Sequence, residues 1–155
     1  MTKAIAIALL LASSPSSAQS VISPAAASIC AQAASIINAL ADFTRTDCTP
    51  VKDGDGYGLL FVSLDAVFAN EQSKKAYLLV LVGAAGAAIN SAPRMKITRV
   101  TFMDKHLGRQ SSYFSIPARE TARLQREIKA DRMTLEAFYA GILRAGAVRP
   151  TGGAK

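Results

Sequence analysis

Four groups of residues in this 155-residue chain carry side chains able to do chemistry: an Asp/Gly cluster, one histidine, two cysteines and a run of arginines. The cluster is Asp53-Gly54-Asp55-Gly56-Tyr57-Gly58. A calcium loop starting at Asp53 would have Tyr57 where an oxygen ligand belongs and Leu64 where the bidentate Glu belongs. A plain Gly/Asp loop is therefore the better reading. Asp53, Asp55 and Asp65 also offer the paired carboxylates that glycoside hydrolysis uses, without the aromatic platform that would hold a sugar. His106 has no second histidine, and its neighbour Lys105 lowers its basicity rather than activating it. It reads as a surface residue of a hairpin loop.

Recognisable catalytic motifs are missing. The chain has no GxSxG, HExxH, SxxK or Walker A sequence, and no GxGxxG following a strand. Two cysteines cannot build a four-thiolate zinc site, and a lone histidine excludes a site of two cysteines and two histidines. No catalytic residue, metal ligand or cofactor is assigned, and the expectation is a protein that is not an enzyme.

The N-terminus reads as an address. Lys3 supplies a positive start, Ala4 to Ala12 an apolar run, and Ser13 to Ala18 a small polar segment with Ser16 and Ala18 in small-x-small spacing. This is the pattern of a signal peptide cleaved after Ala18, and the run is too short to anchor in a bilayer. Export to the periplasm or beyond brings Cys30 and Cys48 into an oxidising compartment, where the pair is expected to form a disulfide. Such a bond adds about 3 kcal/mol in the chain-entropy model.

The arginines make the charge lopsided. Residues 19–93 hold four basic and six acidic side chains, whereas residues 94–155 hold thirteen basic and five acidic. The basic excess falls on a hairpin and the two helices after it. A cationic face attracts anionic partners over about one Debye length, ~8 Å at physiological salt. The candidate binding residues are Arg99, Lys105, Arg109, Arg119, Arg123 and Arg126.

Several elements must position these residues. Ser23-Pro24 starts an amphipathic helix running to about Phe43, with Ile29, Ala33, Ile36, Ile37 and Leu40 on one side and Cys30 at its edge. Thr44 to Pro50 is expected as a loop that returns Cys48 to Cys30. Leu59 to Phe68 reads as a buried strand, with a buried helix as the competitor. Ala76 to Ala92 reads as a buried Ala/Gly-rich helix, because Ala and Gly give too little transfer energy for a membrane span. Ile97–Met103 and Ser112–Ile116 form a hairpin. A helix follows from Pro117 to Ala130, with Leu124, Ile128 and Thr121 on one side. Arg119, Arg123 and Arg126 form a stripe opposite, with Arg123–Glu127 as an i,i+4 pair. Thr134 caps a last helix that Gly146 ends.

One segment order carries a resemblance. Strand Leu59–Phe68, helix Asn70–Val82, Gly83-Ala84-Ala85-Gly86, helix Ala87–Ala92, the two hairpin strands and helix Pro117–Ala130 follow one another as in a KH RNA-binding domain. The order is similar over about half the chain. It implies a GxxG turn that clamps a nucleic-acid backbone. The competing reading makes these glycines points of close helix packing.

The expected architecture is α+β: a small antiparallel sheet packed by an N-terminal helix, a central Ala/Gly-rich helix and two C-terminal helices. If Leu59–Phe68 is helical, the alternative is mostly α with one β-hairpin. The expected organisation is a signal peptide over 1–18, one globular domain over 19–148 and a flexible tail over 149–155. The function expected is an exported binding or interaction protein whose basic face engages an anionic envelope component or an acidic protein. Nucleic-acid binding through the basic face and GxxG turn is the second reading, and a cell-envelope enzyme of unrecognised type is the third.

Overall fold

The computed structural model describes residues 22–41, 45–64, 71–106 and 109–148. The expected leader and tail lie outside these residues, as does Asp65. Four helices and five strands follow in the order α1 (Pro24–Leu40), β1 (Arg45–Asp53), β2 (Gly56–Leu64), α2 (Glu71–Ser91), β3 (Ile97–His106), β4 (Arg109–Pro117), α3 (Ala118–Lys129), α4 (Leu135–Ala145) and β5 (Ala147–Val148). The protein is a small α+β domain, and the segment from Leu59 begins as strand rather than helix.

The strands stand side by side in chain order, β1-β2-β3-β4-β5. The pairs are antiparallel except β2–β3, which is parallel, so the sheet is mixed where an antiparallel one was expected. The cause is the connection between them. The 21 residues of α2 rise about 30 Å as a helix and return the chain to the end at which β2 began.

β1 replaces the loop expected over Thr44–Pro50, and the Asp/Gly segment closes a β1–β2 hairpin. Gly54, at φ +60°, supplies the left-handed residue of its turn. The sequence hides β1 because its inward positions are Thr46, Cys48 and Pro50, which carry no apolar alternation.

Alternation along the strands divides the sheet into two faces. Leu59, Phe61, Val100, Phe102 and Ile116 point to the helices and join one core with Ile29, Cys30, Ile37, Leu81, Val82, Leu124, Phe138 and Ile142. Deep in this layer the hydroxyls of Thr46, Ser63 and Tyr77 bond to one another. Burial pushes the Tyr77 phenol up, and its bonds to Ser63 and Thr46 oppose that shift. The residues between, including Val51, Leu60, Val62, Arg99, Thr101 and Met103, lie on the face away from the core.

Cys30 and Cys48 form a disulfide that ties α1 to β1, with Cα atoms 5.2 Å apart. α1 stops at Leu40, short of the expected Phe43. Asn38, near its end, bonds both the N–H and the C=O of Thr46 at 2.8 Å, standing in for a neighbouring strand.

The GxxG segment is not a turn. Gly83-Ala84-Ala85-Gly86 lies inside the unbroken α2, so the helix–turn–helix of a KH-like order does not form. A Cβ at Gly86 would sit 2.5 Å from Gln125 Cβ and 2.7 Å from the Thr121 carbonyl oxygen. This glycine is where α2 and α3 touch, as the packing reading expected.

Candidate binding surface on the third helix

α3 is built by two opposite patterns. Ala118, Thr121, Ala122 and Leu124 are buried, and the Thr121 hydroxyl donates to the Pro117 carbonyl one turn back. Pro117 itself ends β4 and caps the helix, one position before the first-turn place expected for it. Arg119, Arg123, Arg126 and Lys129 are exposed on the other side, so the expected stripe is present.

The carboxylates within this helix are already engaged. Glu120 accepts from Arg123 at 3.0 Å, and Glu127 holds Arg132 through two bonds of 3.1 Å. The expected Arg123–Glu127 pair is thus replaced by an i,i+3 pair, because Arg132 competes for Glu127 from the turn beyond the helix. Arg119 is more open than Arg123, with 87% of its side chain exposed against 47%, and its guanidinium stands 4.0 Å from Glu120.

Arg126 differs from both. Its guanidinium donates to the Asn90 side-chain oxygen at 2.7 Å. Asn90 in turn donates to the Ala122 carbonyl at 3.0 Å and to the Gln125 side-chain oxygen at 2.7 Å. A neutral amide, itself fixed by α3, therefore aims the arginine without offsetting its charge. Sequence reasoning missed Asn90, which lies within the Ala/Gly-rich run Ala76–Ala92. Its signal was a polar side chain near the end of that run, where a buried helix reaches a neighbour.

The six expected binding residues do not form one surface. Arg99 lies on the open sheet face, across the sheet from α3, and meets Asp53 through bonds of 2.8 and 3.2 Å. Bonds from Thr98 and then Arg99 hold the Asp53 carboxyl below its usual range. Lys96 does the same to Asp55. Lys105 and Arg109 belong to β3 and β4, and their side chains lie outside the described residues, as does that of His106.

The Asp/Gly hairpin is thus a site of ion pairing. Among the described residues no group of three His, Cys, Asp or Glu side chains could hold a metal ion, and no helix is long and apolar enough to cross a membrane. Comparison with known proteins finds no matching family, no matching curated protein and no matching solved structure.

Proposed function

We propose that the chain is an exported binding protein without catalytic activity, which engages an acidic partner of the cell envelope through Arg119, Arg123 and Arg126. Charge gives the encounter its rate and orientation. The observation that carries this reading is Arg126, held in place by Asn90 at 2.7 Å. An arginine aimed by an amide keeps its full charge for a partner and loses little freedom on binding. The Cys30–Cys48 bond supports export, since such bonds persist in oxidising compartments. The signal-like N-terminus supports it independently.

The test is charge reversal. Replacing Arg119, Arg123 and Arg126 together by Glu is expected to abolish capture of acidic partners from an envelope fraction, with an unchanged circular dichroism spectrum. A folded triple variant that keeps the same partners sinks the reading. The intact mass of protein from its native host gives the second check, with a mass lacking Met1–Ala18 expected.

A further inference from the structure

α1 and the edge strand β1 are tied at two points. The disulfide joins Cys30 to Cys48, and the Asn38 side chain bonds both backbone groups of Thr46. Cys30, Ala34 and Asn38 follow at intervals of four, so they share one side of the helix. Between the two ties stands Ala34, whose single methyl leaves the space open. A groove of about 640 Å³ runs there, with Ala34 and Asn38 on the helix side and Thr46 and Cys48 on the strand side.

The two sulfurs of the bond differ in access. Cys30 is 2% exposed and belongs to the core with Ile29, Ala33 and Ile37. Cys48 is half-buried and borders the groove. Thiol–disulfide exchange brings a thiolate in line with the S–S bond, behind the sulfur that it attacks, so access decides which sulfur reacts. The groove leads to Cys48, whereas a path to Cys30 crosses packed core residues.

The charges at the mouth admit an anion. Arg45 and Asp47 stand 3.5 Å apart, both largely exposed, and offset each other on a chain of net charge +7.

We infer that the groove between α1 and β1 is a thiol–disulfide exchange site, where the thiolate of a small thiol or of a dithiol protein attacks the sulfur of Cys48. The new S–S bond joins that thiol to Cys48. The Cys30–Cys48 bond breaks, and its electron pair leaves on the Cys30 sulfur, which takes a proton. A second thiol then attacks the reductant's sulfur in the mixed disulfide and releases Cys48 as a thiolate. The reductant ends as a disulfide and the protein holds two thiols, with α1 kept on β1 only by Asn38 and packing. This goes beyond the proposed envelope binding, because the groove lies at the β1 edge while α3 packs on β3 and β4. Either idea can fail without the other.

Brief treatment of the folded, oxidised protein with reduced glutathione tests it. The mixture is quenched in acid and alkylated with N-ethylmaleimide in denaturant. Trypsin cuts after Arg45, between the two cysteines, and mass spectrometry reads each one separately. Glutathione is expected on Cys48 and maleimide on Cys30, in at least about tenfold excess over the reverse. The rate is expected to be the same with and without dilute urea, because no unfolding precedes the attack. Ala34→Leu fills the groove and is expected to slow exchange at least about tenfold, with unchanged circular dichroism. Ala39→Leu, exposed on the same helix, is expected to react as the wild type does. Reduced thioredoxin in place of glutathione separates the two sources of thiol, since only a groove open to a protein lets it react. Adducts spread equally over both cysteines, or found mainly on Cys30, overturn the inference. Exchange that requires urea, or that runs at the wild-type rate in folded Ala34→Leu, overturns it as well.

Discussion

Asn90 lies on α2 and Arg126 on α3, and the amide oxygen of the first accepts from the guanidinium of the second at 2.7 Å. The contact crosses the helix pair that Gly86 brings together. It fixes an arginine while leaving its charge unbalanced. Asn90→Asp keeps the shape and adds the missing negative charge. Partner capture is then expected to weaken by about threefold to tenfold, the scale of one exposed charge pair. Thermal stability should fall by about 1–3 kcal/mol with the fold retained, because the aspartate cannot make the amide's donations to Ala122 and Gln125. Binding measured at low and high salt checks this, and an affinity equal to wild type at both would remove Arg126 from the interface.

The two glycines of α2 should respond in opposite directions. Nothing lies within 4 Å of a Cβ built at Gly83, so Gly83→Ala is expected to stabilise by about 0.5–1 kcal/mol through helix propensity. At Gly86 the new methyl meets Gln125 and the Thr121 carbonyl. Gly86→Ala is expected to destabilise by about 1–3 kcal/mol through overpacking. Denaturant melts of the two single variants measure the difference. Equal effects would mean that α2 and α3 do not approach there.

Reducing the Cys30–Cys48 bond frees α1 from β1. The 18-residue separation corresponds to a loss of about 3 kcal/mol. Thermal melts with and without a reductant are expected to show a lower midpoint on reduction. Identical midpoints would show that packing of Ile29, Ala33 and Ile37 alone seats the helix.

Asp53 provides a pH signature. Its carboxyl is held below the ordinary value of 3.8, first by the Thr98 hydroxyl and then by Arg99. A depressed folded value favours the charged form, so the associated stability is complete above 3.8 and falls away as pH drops through the folded value. Titration followed by NMR should place Asp53 below 3.8. In Arg99→Leu the value is expected to rise part of the way, since Thr98 remains. No change in that variant would dissolve the Asp53–Arg99 pair.

The helices were legible where one face repeats every three to four residues. α1 and α3 show this, and Thr134 caps α4 as read, its hydroxyl accepting from the Ala137 N–H. Gly146 does follow α4, but its backbone is extended rather than left-handed. What demands glycine is the Phe114 ring, which would lie 1.9 Å from an added Cβ. No local pattern carries such a contact, because it joins residues far apart in sequence.

The strands were harder for a related reason. β2 has apolar residues on both faces, so its alternation is flat, and β1 turns Thr, Cys and Pro inward. The binding set was legible only in part. The α3 stripe follows from helical period within one element. The position of Arg99 across the sheet depends on which way β3 turns its odd-numbered residues, and the parallel pairing with β2 fixes that.

The strands stand in the sheet in the order in which they occur in the chain. A polypeptide delivered N-terminus first, from a ribosome or a translocation channel, can therefore lay down each strand against the one already in place. None has to wait in an exposed slot for a later segment to be inserted between neighbours. Cys30 and Cys48 belong to the first helix and the first strand, so their covalent closure needs nothing that emerges after Cys48. Assembly of this molecule can proceed as vectorial growth from one edge, with its first cross-link set before the central strands arrive.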